Sequence, residues 1–486
     1  MQIINKLNFK YLKKNFLVFF AIPLFPLFLI TGPFIPDMFS VILGMVFLYT
    51  LYVEKNWNEL YENNYFIYFI LIFLYLNLNS FLSFNQEISF LKSLPFIRIV
   101  LFIFALSFFL NRYNNLYKNF FYCFLTLLLL MFLDSLIQLL FNLNIFGAEI
   151  TFDNRMSSFF GDEKIMGSYI TRLLPIIISV PFIVNFKKKF LINFIILIFS
   201  SILVFLSAER LAIFYLLSFV IFYFFITKKF FLKFISLIFV CIFFINLYNP
   251  IFSERIINST IKQFNNAESI TSYRHLLHYK TAYEMFKDNK IFGHGLKSFR
   301  NLCSEDKYVT KIQKKIRENE NFYYFAEADG YFYKENKNLF KIQYINLSEP
   351  ISKKFHPNFN YFLILKNNGE KFYKGDKLFL EYEHKNGCNT HPHNIYLEFL
   401  SELGIIGFLL FSVIMFYCLI KILFFLKGYL LDNKINDLLI SKNLILFGIF
   451  IQMFPLTPSG SFFNNYMLLI FHISIGFYLS VLKIKE

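Results

Sequence analysis

Charge is what this sequence has least of. Only 16% of its 486 residues are Asp, Glu, Lys or Arg, while 57% are hydrophobic and 73 are phenylalanine. Soluble domains carry about 25% charged residues, so the composition excludes one and implies a chain embedded in lipid. No small-residue cleavage pattern follows the first apolar run, which therefore reads as a permanent anchor. Internal repeats are absent and the candidate charges gather at one interface, which argues against the different class of a transporter or flippase. Neither an Asp-x-Asp pair nor a Cys or carboxylate cluster at ligand spacing accompanies the histidines, so no metal and no cofactor is expected. Asp37, Asp153 and Asp162 are the carboxylates that keep a metal arguable. Of five cysteines, Cys123, Cys241 and Cys418 fall in apolar runs, where a small buried thiol is the ordinary reading.

What the chain does have is hydrophobic length. Runs near the roughly 20 residues that cross a bilayer lie at 16–30, 34–53, 65–84, 94–110, 117–141, 167–185, 190–207, 211–226, 232–248, 405–426, 443–455 and 462–482. The fold class is thus an all-α polytopic membrane protein of about twelve transmembrane helices, about nine in 1–248 and about three in 394–486. Lysines and arginines cluster in alternate connections, from Lys6, Lys10, Lys13 and Lys14 to Lys483 and Lys485, which puts both termini in the cytoplasm. The net charge of +16 is largely this topology signal. Anionic membrane lipid absorbs the rest, and no nucleic acid partner is needed.

One polar block, 249–393, lacks a span and falls outside the cytoplasm as a periplasmic loop domain. Its centre, 323–385, alternates apolar and polar residues between turns such as Asn367-Asn368-Gly369, and reads as a small β-rich insertion. The flanks at 272–287 and 310–320 read as helical. Cys303 and Cys388 are the only cysteines of the block, and an oxidising compartment would let them pair. Such a bridge would stabilise the loop by about 4 to 5 kcal/mol on the chain-entropy model.

Chemistry gathers where this block meets lipid. His391 and His393 stand just ahead of the span that begins near Ile405, where an imidazole can take a proton from a hydroxyl at neutral pH. Arg210 opens a span after a very short loop, and Arg274 begins an amphipathic helix; guanidinium groups at a membrane surface suit a phosphate or diphosphate. Arg155 precedes another span on the same side. Each has a plainer reading: Arg210 snorkelling or paired with Glu209, Arg274 and Arg155 as solvated or anchoring residues, His391 and His393 as a weak metal pair. Glu398 and Glu402 are four apart, so they share one helix face, and Glu398 either orients the imidazole or packs helices. His275, His278, His294, His356 and His384 read as ordinary loop residues.

Together these residues resemble the O-antigen ligase and polymerase superfamily. The motif at the loop's end is His393-Asn394-Ile395-Tyr396-Leu397, followed by Glu402-Leu403-Gly404-Ile405-Ile406-Gly407. Upstream, Arg274 leads to Asp288-Asn289-Lys290-Ile291-Phe292-Gly293-His294-Gly295, with lysine where the family usually has proline. Arg210 matches the arginine that follows a small-residue turn. The resemblance implies transfer of a glycan from undecaprenyl diphosphate to an acceptor hydroxyl at the periplasmic face of the inner membrane, with lipid A-core oligosaccharide the favoured acceptor. Polymerisation on the lipid carrier and transfer to protein Ser or Thr are the alternatives. In that scheme His393 is the general base, Arg210 and Arg274 hold the diphosphate, Arg155, His391 and Glu398 support them, and displacement inverts the anomeric centre without a metal. The β-rich insertion departs from the family's shorter loops.

Overall fold

The computed structural model describes residues 16–149, 155–161, 163–258, 261, 273–303, 305, 307–308, 322–325, 330–335, 338–342, 388–432 and 436–484. Every apolar run read from the sequence is helical. In chain order come α1 (Phe16–Phe28), α2 (Phe34–Glu54), α3 (Asn64–Phe81), the short α4 (Gln86–Ser93), α5 (Phe96–Arg112), α6 (Asn115–Phe141), α7 (Met166–Ile183), α8 (Lys189–Ser207), α9 (Arg210–Thr227) and α10 (Phe231–Tyr248). After the polar block's α11 (Tyr273–Asp288) follow α12 (Gly404–Asp432), α13 (Asp437–Gln452) and α14 (Asn465–Lys483). Among the described residues, nine helical stretches are long and apolar enough to cross a membrane. Against the expected count of about twelve, α1, α10 and α13 fall short of that standard. The chain is a multi-pass membrane protein.

Lipid tails are as apolar as leucine, so helices in a bilayer associate through close packing and polar contacts rather than through hydrophobic transfer. Both occur here. Gly448 of α13 lets Pro175 of α7 sit directly on its backbone, and Tyr117 of α6 shares a 2.7 Å hydroxyl hydrogen bond with Ser480 of α14. The α7 and α14 stretches are the most enclosed, 89% and 78% buried, whereas α2 and α3 keep only 33% of theirs inside. α14 packs along α5, α7 and α13.

At one end of the bundle the short α4 and the strap 455–464 meet the polar block. Within the block, β1 (Phe322–Phe325), β2 (Gly330–Glu335) and β3 (Asn338–Ile342) pair antiparallel in that order, Tyr323 opposite Phe332 and Tyr333 opposite Phe340. The rest of the expected insertion, 343–385, and the expected helix at 310–320 lie outside the described residues, as do Asp153, Asp162, His356 and His384. Cys303 and Cys388 are joined as a disulfide with Cα atoms 5.1 Å apart, 85 residues apart in sequence. Breaking it by Cys388→Ser should cost the block up to about 4 to 5 kcal/mol on the entropy model. The check is mobility of the thiol-labelled, denatured chain with and without reductant; identical mobility would mean that no bridge forms.

Candidate active site

The polar block and the re-entering chain lock together through two glycine turns. Gly293 (φ 70) and Gly404 (φ 67) adopt left-handed backbone, and a Cβ on Gly293 would lie 2.5 Å from Glu402 C and Gly404 N. Backbone bonds tie the two segments: His294 N donates to Ser401 O at 3.0 Å, Gly295 N to Glu402 O at 2.8 Å, and Ile405 N to Lys290 O at 2.8 Å. Glu402, fully buried, accepts the N–H groups of Lys297 at 2.8 Å and Phe299 at 3.3 Å. The Gly-x-Gly and Glu-x-Gly motifs are thus one joint. It sits on a π-helical turn, Phe399–Leu403, a distortion common at functional sites.

That joint aims the histidine motif. Asn394 caps the helix Ile395–Glu398, accepting from Tyr396 N at 3.0 Å and Leu397 N at 3.1 Å, and its amide donates to Pro455 O at 2.8 Å. Tyr396 Oη donates to Met453 O at 2.6 Å. Cap and anchor leave His393 projecting from a left-handed residue, φ 57. Its carbonyl takes Ser459 N–H at 2.9 Å, and His391 Nε2 donates back to Ser459 O at 3.2 Å. Asn389 Nδ2 donates to His393 Nε2 at 3.0 Å, which leaves the ring proton on Nδ1.

Around His393 stand three more imidazoles. The His391 ring centroid is 4.2 Å away, and those of His275 and His278 are 5.1 and 5.2 Å away. The latter two are three apart on α11 and share one face. They are not ordinary loop residues, and the His-x-x-His spacing on an amphipathic helix was the signal that could have found them. Arg274 belongs to the first turn of the same helix, beside His275. Among the described residues no group of three or more His, Cys, Asp or Glu is arranged to hold a metal ion.

Burial, and after it the neighbouring His391, His278 and His275 rings, push His393 down to about 2. Burial also lowers His391, with Lys297 and Arg300 adding to the effect and Glu398 opposing it. Unfolded, His393 takes a proton near 6.5; folded, it refuses one until about 2, so stability falls as pH drops from 6.5 toward 2. In thermal unfolding between pH 7 and 4, His393→Asn should lose less stability than wild type. Equal loss would place the acid sensitivity elsewhere.

A second group lies at the openings of α7 and α9. Glu209 accepts Gly167 N–H at 2.7 Å and Ser168 N–H at 3.4 Å. Burial raises its carboxyl to about 7, opposed by these bonds and by Arg155 and Arg172. Arg210 opens α9 within electrostatic reach of Arg155. Arg172 is spent on structure, donating to Ser168 Oγ and Gln452 Oε1, each at 3.1 Å, with its guanidinium 5.5 Å over Tyr215. Arg155 and Arg172 both act on the Glu209 carboxylate, and Arg155 also acts on Arg210.

The end of α13 joins the two groups. Gln452 meets Arg172, Phe454 packs 5.6 Å from Phe214 one turn into α9, and Pro455 O holds Asn394. Glu398 serves this strap rather than the imidazole: its oxygens accept Ser461 Oγ at 2.5 Å and Phe462 N–H at 2.8 Å.

No curated protein and no solved structure matches the chain with significance. Residues 195–335 match a family model described as O-antigen ligase. That stretch holds Arg210, Arg274, the α11 histidines and the Gly293 turn, and ends ahead of His393. Over that stretch, under a third of the chain, the sequence is similar to the O-antigen ligase family.

Proposed function

We propose that the chain transfers a glycan from undecaprenyl diphosphate to an acceptor hydroxyl at the periplasmic face of the inner membrane, as in O-antigen ligation to lipid A-core. The observation that carries this reading is His393, packed among three imidazoles and hydrogen-bonded to the strap that follows α13, whose last residue Gln452 holds Arg172 of the Glu209 group. A glycosyl diphosphate already has a good leaving group, so the protein's main task is to stabilise charge on the departing diphosphate. Arg155 and Arg210, with Arg274 from α11, take that role. Their fixed charge suffices without a metal.

The acceptor hydroxyl displaces Asn389 at His393 Nε2. Its oxygen forms the new bond to the anomeric carbon, the bond to the phosphate oxygen breaks with its electron pair leaving on the diphosphate, and the hydroxyl proton passes to Nε2. Direct displacement inverts the anomeric centre. An imidazole with pKa about 2 is a weak base. Bound diphosphate brings negative charge that raises it, so the base gains strength when donor is present. His278 and His275 then offer a path for the proton toward water.

The test is purified full chain with undecaprenyl diphosphate-linked glycan and lipid A-core. One glycan on the acceptor with inverted configuration, and undecaprenyl diphosphate released in equal amount, is the expected result. Glycan growing on the lipid carrier would identify a polymerase instead, and retained configuration would overturn the direct displacement.

A further inference from the structure

A second group of cations stands beside the histidines and takes no part in that scheme. Lys297 lies on the turn that follows Gly295, Arg300 in the short helix Phe299–Leu302 after it, and Lys92 near the end of α4, which packs on that turn. Ser89 Oγ donates to Leu296 O and Ser83 Oγ to His294 O, both at 3.0 Å. Lys297 is 4% exposed, and its Nζ donates to Ser461 Oγ. Arg300 Nε is buried with no hydrogen-bond partner among the described residues. Lys92 is exposed. Nearby Arg98, in contrast, is bound to Asp37 at 2.8 Å.

The Ser89–Leu296 bond brings the α4 turn that carries Lys92 against Lys297, and Arg300 follows in the short helix Phe299–Leu302, so the three cations lie close together, with Lys297 and Arg300 also acting on His391. The carboxylates around the group are already engaged, Asp37 with Arg98. Glu398 holds Ser461 and Phe462 N–H, and Glu402 holds the N–H groups of Lys297 and Phe299. A guanidinium donor buried without an acceptor is costly, and an oxyanion satisfies it with a charge-assisted bond.

We propose that Lys92, Lys297 and Arg300 form a second oxyanion subsite, which holds a phosphate group of the acceptor while the acceptor's hydroxyl meets His393. The proposal rests on the glycan-transfer reading and deepens it. It makes the acceptor a phosphorylated saccharide, anchored apart from the donor diphosphate on Arg155 and Arg210.

The experiment has one arm that needs no turnover. Inorganic phosphate is titrated calorimetrically into the full chain in zwitterionic nanodiscs, as wild type, Arg300→Gln and the Lys92→Gln/Arg300→Gln double variant, each also carrying Arg210→Ala to weaken the donor site. Loss of one charge-assisted bond should weaken phosphate binding about tenfold or more; equal binding by all three overturns the subsite.

The second arm measures transfer to a phosphorylated acceptor and to the same acceptor after phosphatase treatment. Arg300→Gln should raise the acceptor KM about tenfold or more on the phosphorylated form, with donor KM unmoved. Wild type and variant should coincide on the dephosphorylated form. An equal loss on both acceptors would overturn the assignment. So would a wild-type KM that follows added phosphatidylglycerol instead of acceptor phosphate, because the subsite would then hold a lipid headgroup. Wild type inactive on both acceptors would defeat the glycan-transfer reading, and the phosphate titration would still decide the subsite.

Discussion

Replacing His393 by alanine should lower transfer by about 10²- to 10⁴-fold, the contribution of a general base, while folded protein in the membrane stays at the wild-type level. The backbone around it is held without the ring. Ser459 N–H on the His393 carbonyl, the Asn394 cap and the Tyr396 anchor all remain. Alanine tolerates the left-handed backbone at φ 57 less well than histidine does, so His393→Asn, which suits that conformation, separates backbone from base. Both variants should fail in transfer, with unchanged donor binding by titration. Transfer at wild-type rate by either would remove His393 from the mechanism.

Gly293→Ala should damage the fold instead of the chemistry. Its Cβ would meet backbone atoms of Glu402 and Gly404 at 2.5 Å, and neither can swing away as a side-chain tip could. Overpacking costs about 1 to 3 kcal/mol and the left-handed residue about 1 to 2 more. Separating the turn from the π-helical segment would release the Lys297 and Phe299 bonds to Glu402 and shift the strap that carries Ser459. The expected signs are a lower unfolding temperature in detergent and faster proteolysis of the polar block, with activity falling in step with the folded fraction. A variant as stable as wild type would show that the joint is not packed in this way.

How legible these features were depends on their range. Apolar runs are one-dimensional, so each helix of the bundle was visible in sequence; whether α1 and α13 span was not, because 13 and 16 residues are too short to decide from composition. The histidine motif announced itself by its place at the boundary. Its companions did not. His275 and His278 reach His393 only after α11 docks beside the 391–393 segment, more than a hundred residues later in the chain. The reading of Glu398 and Glu402 as sharing a face assumed α-helical spacing. The two carboxylates do act on one another, but sequence could not show their partners, the 461–462 strap for Glu398 and the 297–299 turn for Glu402. Lys297 and Arg300 sit in a turn and the four-residue helix after it, too short for periodicity, where two basic residues carry no signal until α4 packs against them.

The proposed reaction moves a finished glycan from a lipid diphosphate to an acceptor by way of His393. A lipopolysaccharide gel from a deletion strain complemented with wild type or His393→Asn, run beside analysis of undecaprenyl-linked glycan, tests it most directly. Bare lipid A-core with long glycan accumulating on the carrier in the His393→Asn strain, and a normal ladder with wild type, is the predicted result. A normal ladder with His393→Asn, or single repeat units on carrier and core together, would contradict it.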